Sequence, residues 1–80
     1  MTTYQTTRKA TPQLGYKVAV EFANGERGVF DLVPYLNYPC YAPLKDPAIF
    51  AQVSAAHGTL MWPGEIDIAP EAVWNEAARA

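Results

Sequence analysis

Histidine and cysteine are nearly absent from this sequence, which contains one of each, His57 and Cys40, seventeen positions apart. Metal sites usually take several histidine, cysteine or carboxylate ligands at regular spacings, so this pair predicts no metal site. A single cysteine cannot form an internal disulfide, which is typical of a protein from a reducing compartment. Since no histidine lies near Cys40 in the sequence, we expect a partly buried, unreactive thiol there.

Positive charge is also scarce. The sequence has six Lys and Arg residues against eight Asp and Glu, for a net charge of −2. A nucleic-acid interface needs a basic stripe that neutralises phosphates, and the six cations are scattered along the sequence. We therefore expect no nucleic-acid binding by this domain alone.

Long apolar runs are missing too. No stretch approaches the ~18 apolar residues of a membrane span, so no membrane association is predicted. Residues 1–9 end in two cations, Arg8 and Lys9, without the apolar segment that follows the charges of a signal peptide. The expected location is the cytoplasm, and the expected source is bacterial.

Apolar and aromatic side chains, by contrast, are abundant. They make up 50% and 12% of the 80 residues, which is typical of one folded domain. Residues 1–13 are polar and include Pro12, so they predict a loosely ordered or edge-lying lead-in. Residues 14–80 are predicted to form a single α+β domain.

A strand is predicted from Leu14 to Phe22, because apolar and polar or small residues alternate there with a period of two. The apolar positions of this strand are Leu14, Tyr16, Val18, Val20 and Phe22. Asn24-Gly25 follows and indicates a hairpin, since both residues tolerate a positive φ.

The register of this hairpin can be predicted from the charge of Asp31. A two-residue loop would place Asp31 on the apolar face opposite Val18, where an unpaired carboxylate is costly. A three-residue loop with a bulge at Gly25 instead places Phe30 opposite Val18 and turns Asp31 away. We therefore predict the bulged register, with Leu32 opposite Tyr16 and with Val29 on the second face beside Ala19.

The remaining elements are short. The proline- and tyrosine-rich residues 33–41 predict a loop or short 3-10 turns. Asp46-Pro47 predicts the start of a helix, and two short strands, 52–55 and 59–62, are predicted around a turn at His57-Gly58. A C-terminal helix should begin at Pro70-Glu71 and turn these residues inward: Val73, Trp74, Ala77 and Ala78. The predicted fold is a small antiparallel α+β sheet in the order ββ-α-ββ-α.

Two groups of residues are candidates for function. Tyr35, Tyr38 and Tyr41 either form a surface for a protein partner or cover the core of a small domain, and the sequence does not distinguish these roles. Trp62, Glu65 and Asp67 form a candidate ligand or structural cluster, in which Asp67 is expected to accept hydrogen bonds from loop or helix-start N–H groups. No catalytic residue, metal site or cofactor is predicted.

Several segments together resemble the domain of unknown function 2442 family of short bacterial proteins. The resemblance covers about residues 14 to 75 and is carried by Tyr16–Gly25, Gly28–Leu32, Leu44–Pro47, Trp62-Pro63 and Asp67–Glu71. The run from Trp62 to Glu71 is its most specific part. Gly64-Glu65 stands where the family often has an Asn-Gly pair after its Trp-Pro. This difference bears on the shape of the turn and not on the resemblance itself.

The resemblance implies a small antiparallel α+β fold and no established catalytic residues. Some relatives carry a C-terminal helix-turn-helix, and the sequence ends at Ala80, which again predicts no DNA binding by this domain. Relatives tend to be encoded beside another short protein, which implies an antitoxin-like or adaptor partner. The leading hypothesis is a non-enzymatic module that binds a protein partner or itself, through a free sheet edge or the tyrosines. The alternative is a small-ligand-binding protein or enzyme that uses Glu65 and Asp67 near Trp62.

Overall fold

A four-stranded antiparallel sheet forms one side of the fold. The structure is a computed structural model that describes residues 4–79. Strands β1 (Thr7–Gln13), β2 (Lys17–Phe22) and β3 (Arg27–Asp31) follow one another along the chain, and the C-terminal β7 (Ala78–Arg79) pairs with β3. The spatial order is β1-β2-β3-β7.

The second half of the chain forms a smaller sheet and two short helices. Strands β4 (Ser54–Ala56), β5 (Thr59–Trp62) and β6 (Ile66–Asp67) are antiparallel, and helices α1 (Pro47–Phe50) and α2 (Pro70–Glu76) flank them in sequence. Two 3-10 segments, Val33–Asn37 and Pro39–Lys45, link the sheets, as residues 33–41 predicted. The α+β class is confirmed, but the order is βββ-α-βββ-α-β rather than ββ-α-ββ-α.

The first of the additional strands is β1. Residues 1–13 are predicted to be loose or edge-lying, and from Thr7 onward they form an edge strand that pairs with β2 through an irregularity between Thr7 and Lys9. Residues 1–3 lie outside the described range. Ala10 packs against the core while the alternate polar residues face solvent, a pattern that the proline and the charges hide in the sequence. The folded unit therefore begins before residue 14.

The predicted strand start at Leu14 is wrong. Leu14, Gly15 and Tyr16 form the turn between β1 and β2, with φ of 79° at Gly15 and 60° at Tyr16. Because the chain reverses there, the side chain of Leu14 points into solvent and is 97% exposed. Leu14 continues the period-two pattern of β2 in the sequence only by coincidence, because it does not belong to the strand.

The predicted register of the hairpin formed by β2 and β3 is confirmed. Val18 pairs with Phe30, and the N–H of Leu32 donates to the carbonyl of Tyr16 at 3.0 Å. The three-residue loop closes through Gly25, which has φ of 90° and donates from its N–H to the Phe22 carbonyl at 2.9 Å. Asp31 lies on the opposite face and accepts from the Val33 N–H at 3.0 Å.

The core lies between the inner face of the four-stranded sheet and the second half of the chain. It is continuous and includes Val18, Val20, Phe22, Phe30, Leu32, Leu44, Phe50, Leu60, Trp62, Ile68 and Val73. Gly28 is buried in β3 because the backbone of β7 approaches it closely, and a Cβ there would lie 2.6 Å from the carbonyl oxygen of Ala78. None of the helices in residues 4–79 is long and apolar enough to cross a membrane.

The predicted turns and caps of the second half agree with the structure in most places. His57 and Gly58, with φ of 53° and 78°, form the two-residue turn between β4 and β5. The Asp46 carboxylate accepts from the Ala48 N–H at 2.9 Å at the start of α1. Ala78 is the exception, because α2 ends at Glu76 and Ala78 is an exposed residue of β7.

Candidate functional site

The tyrosine-rich 3-10 segments place their three tyrosines in different surroundings. The ring of Tyr35 lies 5.6 Å from that of Tyr41 and 6.5 Å from that of Tyr38, measured between centroids. Tyr35 and Tyr41 are half-buried, and only Tyr38 is largely exposed, at 58%. Tyr35 and Tyr41 therefore fit the role of covering the core, whereas Tyr38 fits that of a surface residue.

The hydroxyl groups of the two half-buried tyrosines are used within the chain. Tyr35 donates to Oε1 of Glu76 at 2.7 Å, and Tyr41 donates to the backbone carbonyl of Asp67 at 2.9 Å. Burial, followed by the hydrogen bond to Glu76, raises the pKa of Tyr35 well above its usual value. Burial, with smaller contributions from Cys40 and Asp67, also raises the pKa of Tyr41. These two rings cover the core, and the ring of Tyr38 is exposed to solvent.

Trp62, Glu65 and Asp67 do not form one site: Trp62 and Asp67 lie on opposite faces of the small sheet, and Glu65 lies in the turn between β5 and β6. Trp62 is 3% exposed, its Nε1 donates to the Phe50 carbonyl at 3.1 Å, and its ring lies 6.3 Å from that of Phe50. Glu65 and Asp67 are exposed and line an open hollow of about 300 Å³ together with Cys40 and Tyr41. The carboxylates thus share a hollow that the Trp62 side chain does not line.

Two expectations about single residues are corrected. Asp67 is predicted to accept hydrogen bonds from loop or helix-start N–H groups, but no side chain caps the start of α2. The backbone carbonyl of Asp67 accepts from Tyr41 instead. Cys40 was expected to be partly buried but is exposed, because it lies at the outside of a 3-10 turn. Residues 4–79 contain no group of three or more histidine, cysteine or acidic side chains placed to hold a metal ion.

The sheet edges offer little free backbone to a partner. β1 contains Pro12, which has no N–H to donate, and its outer side lies beside β4. The Thr7 N–H of β1 already donates to the Gly58 carbonyl at 2.9 Å. At the other edge, β7 covers Gly28 and Val29 of β3. A homodimer formed by adding strand to strand is therefore poorly supported.

An apolar surface that the sequence did not predict surrounds Leu14. The turn from β1 to β2 and the start of α1 enclose an open groove of about 770 Å³. The groove is lined by Pro12, Gln13, Leu14, Gly15, Tyr16, Pro47 and Ala51, and none of these residues is charged. The only signal in the sequence was the Leu14-Gly15 pair, where glycine could have marked the turn.

A partly buried ion-pair network, in which the arginine side chains are exposed, also escaped prediction. The Glu21 carboxylate is 11% exposed and accepts hydrogen bonds from the guanidinium groups of Arg8 and Arg27. The hydrogen bond from Arg8 is the largest cause of a lowered pKa at Glu21. Because these three residues belong to β1, β2 and β3, the network ties three adjacent strands together.

Comparison with known families finds a match over most of the chain. A family model described as "Protein of unknown function (DUF2442)" matches residues 8–79. No curated protein and no solved structure matches the chain.

Proposed function

We propose that this chain, which belongs to the family described as "Protein of unknown function (DUF2442)", is a non-enzymatic protein-binding module that associates with a second copy of itself. The observation that carries the proposal is the 97% exposure of Leu14 beside an uncharged groove. Burying a leucine side chain stabilises an interface by about 1.5–3 kcal/mol, and nothing in the turn itself uses this energy.

A second copy suits this groove because the same patch carries a projecting apolar side chain and a concave surface. A two-fold symmetric interface requires a self-complementary patch of this kind, since each copy offers its Leu14 and receives that of the other. The lack of charged lining residues means that no like charges meet across the axis, although the chain carries a net charge of −2. A dimer of this type is suited to an adaptor or antitoxin-like role.

The small-ligand alternative is supported by the hollow at Glu65 and Asp67. It is the weaker candidate because Trp62, which was to complete that site, is buried in the core with its N–H already bonded. A ligand there would contact Cys40 and Tyr41 instead.

Molar mass in solution tests the proposal. We expect light scattering after gel filtration to show a dimer whose population falls on dilution, and Leu14→Ser to shift it to the monomer. Because Leu14 is exposed in the single chain, the variant should unfold at the same denaturant concentration as the parent when both are diluted until they are monomeric. Tyr38→Ser is the matched control, because Tyr38 is an exposed large side chain outside the groove. A monomer at all concentrations, or a dimer that Leu14→Ser leaves intact, would contradict the proposal, and a dimer lost only in Tyr38→Ser would place the interface at the tyrosines.

A further inference from the structure

The solvent-facing side of the four-stranded sheet, called the outer face below, has its side chains in three rows across the strands. Residues paired across an antiparallel sheet lie on the same face, so the pairing defines each row. The middle row consists of small or apolar residues: Thr11, Ala19, Val29 and Ala78. The rows on either side contain Lys9, Glu21 and Arg27, and Gln13, Lys17 and Asp31.

The middle row is a shallow apolar depression with cations beside it. An open hollow of about 320 Å³ is lined by Thr11, Ala19 and Val29 of the middle row and by the adjacent row of Lys9, Glu21 and Arg27. Ala19 and Val29 are half-buried and contribute to the lining of this hollow. The alternation that buries Val18 and Phe30 on the inner face thus leaves an apolar strip on the other side.

Charge is strongly segregated between this face and the rest of the chain. The outer face holds Arg8, Lys9, Lys17 and Arg27, which are four of the six cations, and only two of the eight carboxylates, Glu21 and Asp31. The remainder has two cations and six carboxylates, so a face with net charge of +2 stands against a remainder of −4. The net charge of −2 conceals this division.

We infer that the outer face docks an acidic segment of a partner protein, one that carries apolar side chains between its carboxylates. The charge of the face complements such a segment, and complementary charge steers association and fixes orientation. The apolar row lies about 7 Å from each charged row, because residues two apart along a strand are separated by two rises of about 3.3 Å. Apolar side chains of the segment therefore contact Ala19 and Val29 while its carboxylates reach Lys9, Arg27 and Lys17.

A nucleic acid suits this surface less well. Sheets that bind single strands stack bases on aromatic side chains, and the paired positions of the outer face contain none. The inference does not depend on the proposed dimer, since the hollow and the Leu14 groove share no lining residue.

A titration followed by amide NMR tests the inference. The probe is a short synthetic peptide of glutamate and leucine, compared with a peptide in which serine replaces each leucine and with a short DNA duplex. We expect the glutamate–leucine peptide to shift the amide signals of Ala19 and Val29, and the serine peptide to bind more weakly. Binding should weaken as salt shortens the Debye length from about 10 Å at 0.1 M to about 3 Å at 1 M.

Two charge-reversal variants distinguish binding at the outer face from a general effect of the net charge of the chain. Lys9→Glu should lower the affinity for the glutamate–leucine peptide about fivefold, because it replaces an attraction beside the apolar row with a repulsion. Lys45→Glu makes the same change of net charge away from the outer face and should leave the affinity unchanged. Equal losses in both variants, or an absence of shifts at Ala19 and Val29 at millimolar peptide, would overturn the inference. Tighter binding of the DNA duplex at the same amides would assign the face to nucleic acid instead.

Discussion

The two turns at the ends of β2 differ in what their residues contact. The turn at Asn24-Gly25 is polar and satisfied within itself: the Asn24 side chain accepts from the Glu26 N–H at 3.0 Å and donates to the Glu26 carboxylate at 2.7 Å. The turn at Leu14-Gly15 has the same reversal to make but presents an apolar side chain to solvent. The residues of the Asn24-Gly25 turn all serve the stability of the hairpin. The Leu14-Gly15 turn, by contrast, contains Leu14, whose side chain the fold does not need.

Two leucines give the sharpest test of this difference, and the largest expected effect. Leu32 is fully buried on the inner face and Leu14 is 97% exposed. Leu32→Ala should lower the free energy of unfolding by about 2–5 kcal/mol through lost burial and the cavity it leaves. Leu14→Ala should leave it within about 0.5 kcal/mol. Urea denaturation at a concentration where the chain is monomeric measures both, and a large loss for Leu14→Ala would show that its turn is structural.

The backbone of the polar turn gives the next effect. Gly25 has φ of 90° with no atom near the position of a Cβ, so Gly25→Ala is strained without a clash. We expect it to lower the free energy of unfolding by about 1–2 kcal/mol. Ala23→Gly is a neighbouring control that changes the same exposed loop. Thermal unfolding followed by circular dichroism measures the pair, and an unaffected Gly25→Ala would argue against the left-handed bulge.

The side chain of Asn24 should have a smaller effect. Asn24→Ala removes the bond to the Glu26 N–H in an exposed turn, where water replaces the lost acceptor. A loss of about 0.5–1 kcal/mol is expected in the same denaturation experiment. Asn24→Asp keeps the acceptor oxygen and, in a Glu26→Gln background that removes the carboxylate beside it, should retain most of the stability. Equal losses for Asn24→Ala and Asn24→Asp in that background would point to the backbone preference of asparagine instead.

Acid should weaken the polar end of β2 selectively. The folded pKa of Glu21 is lowered from its ordinary value of 4.5, so the pairing with Arg8 and Arg27 stabilises the chain above that pH. Its contribution falls as the pH drops below 4.5 and through the folded pKa. The difference in unfolding midpoint between the parent chain and Glu21→Gln should therefore shrink with acid. A difference that stays constant from neutral pH to pH 3 would contradict the role of the ion pairs.

The sequence predicts the second hairpin well because a strong local signal and an energetic penalty agree there. Asn24-Gly25 defines the turn, and the cost of burying Asp31 selects one register over the other. The strand β1 is not visible in the same way, because its polar residues are those of an exposed edge and only pairing with β2 makes the segment a strand. Leu14 misleads for a related reason, because periodicity alone does not distinguish a buried leucine from an exposed one.

The candidate functional residues were predictable only as types. Tyr35, Tyr38 and Tyr41 were identified as a group, but their division into two covering rings and one exposed ring depends on distant partners such as Glu76. The outer face was hidden because its rows combine residues from four strands, including Ala78 at the other end of the chain. Neither arrangement has a local pattern in the sequence.

The hydrogen bond from the Thr7 N–H to the Gly58 carbonyl joins the first sheet to the turn of the second. Thr7 is 4% exposed, so its amide is shielded from solvent while the two sheets stay together. The rate of deuterium uptake at the Thr7 amide therefore reports how often the contact between the two sheets opens. If uptake there is faster than at Val18 and Val20 in the middle of β2, the halves of the chain separate before either sheet unfolds.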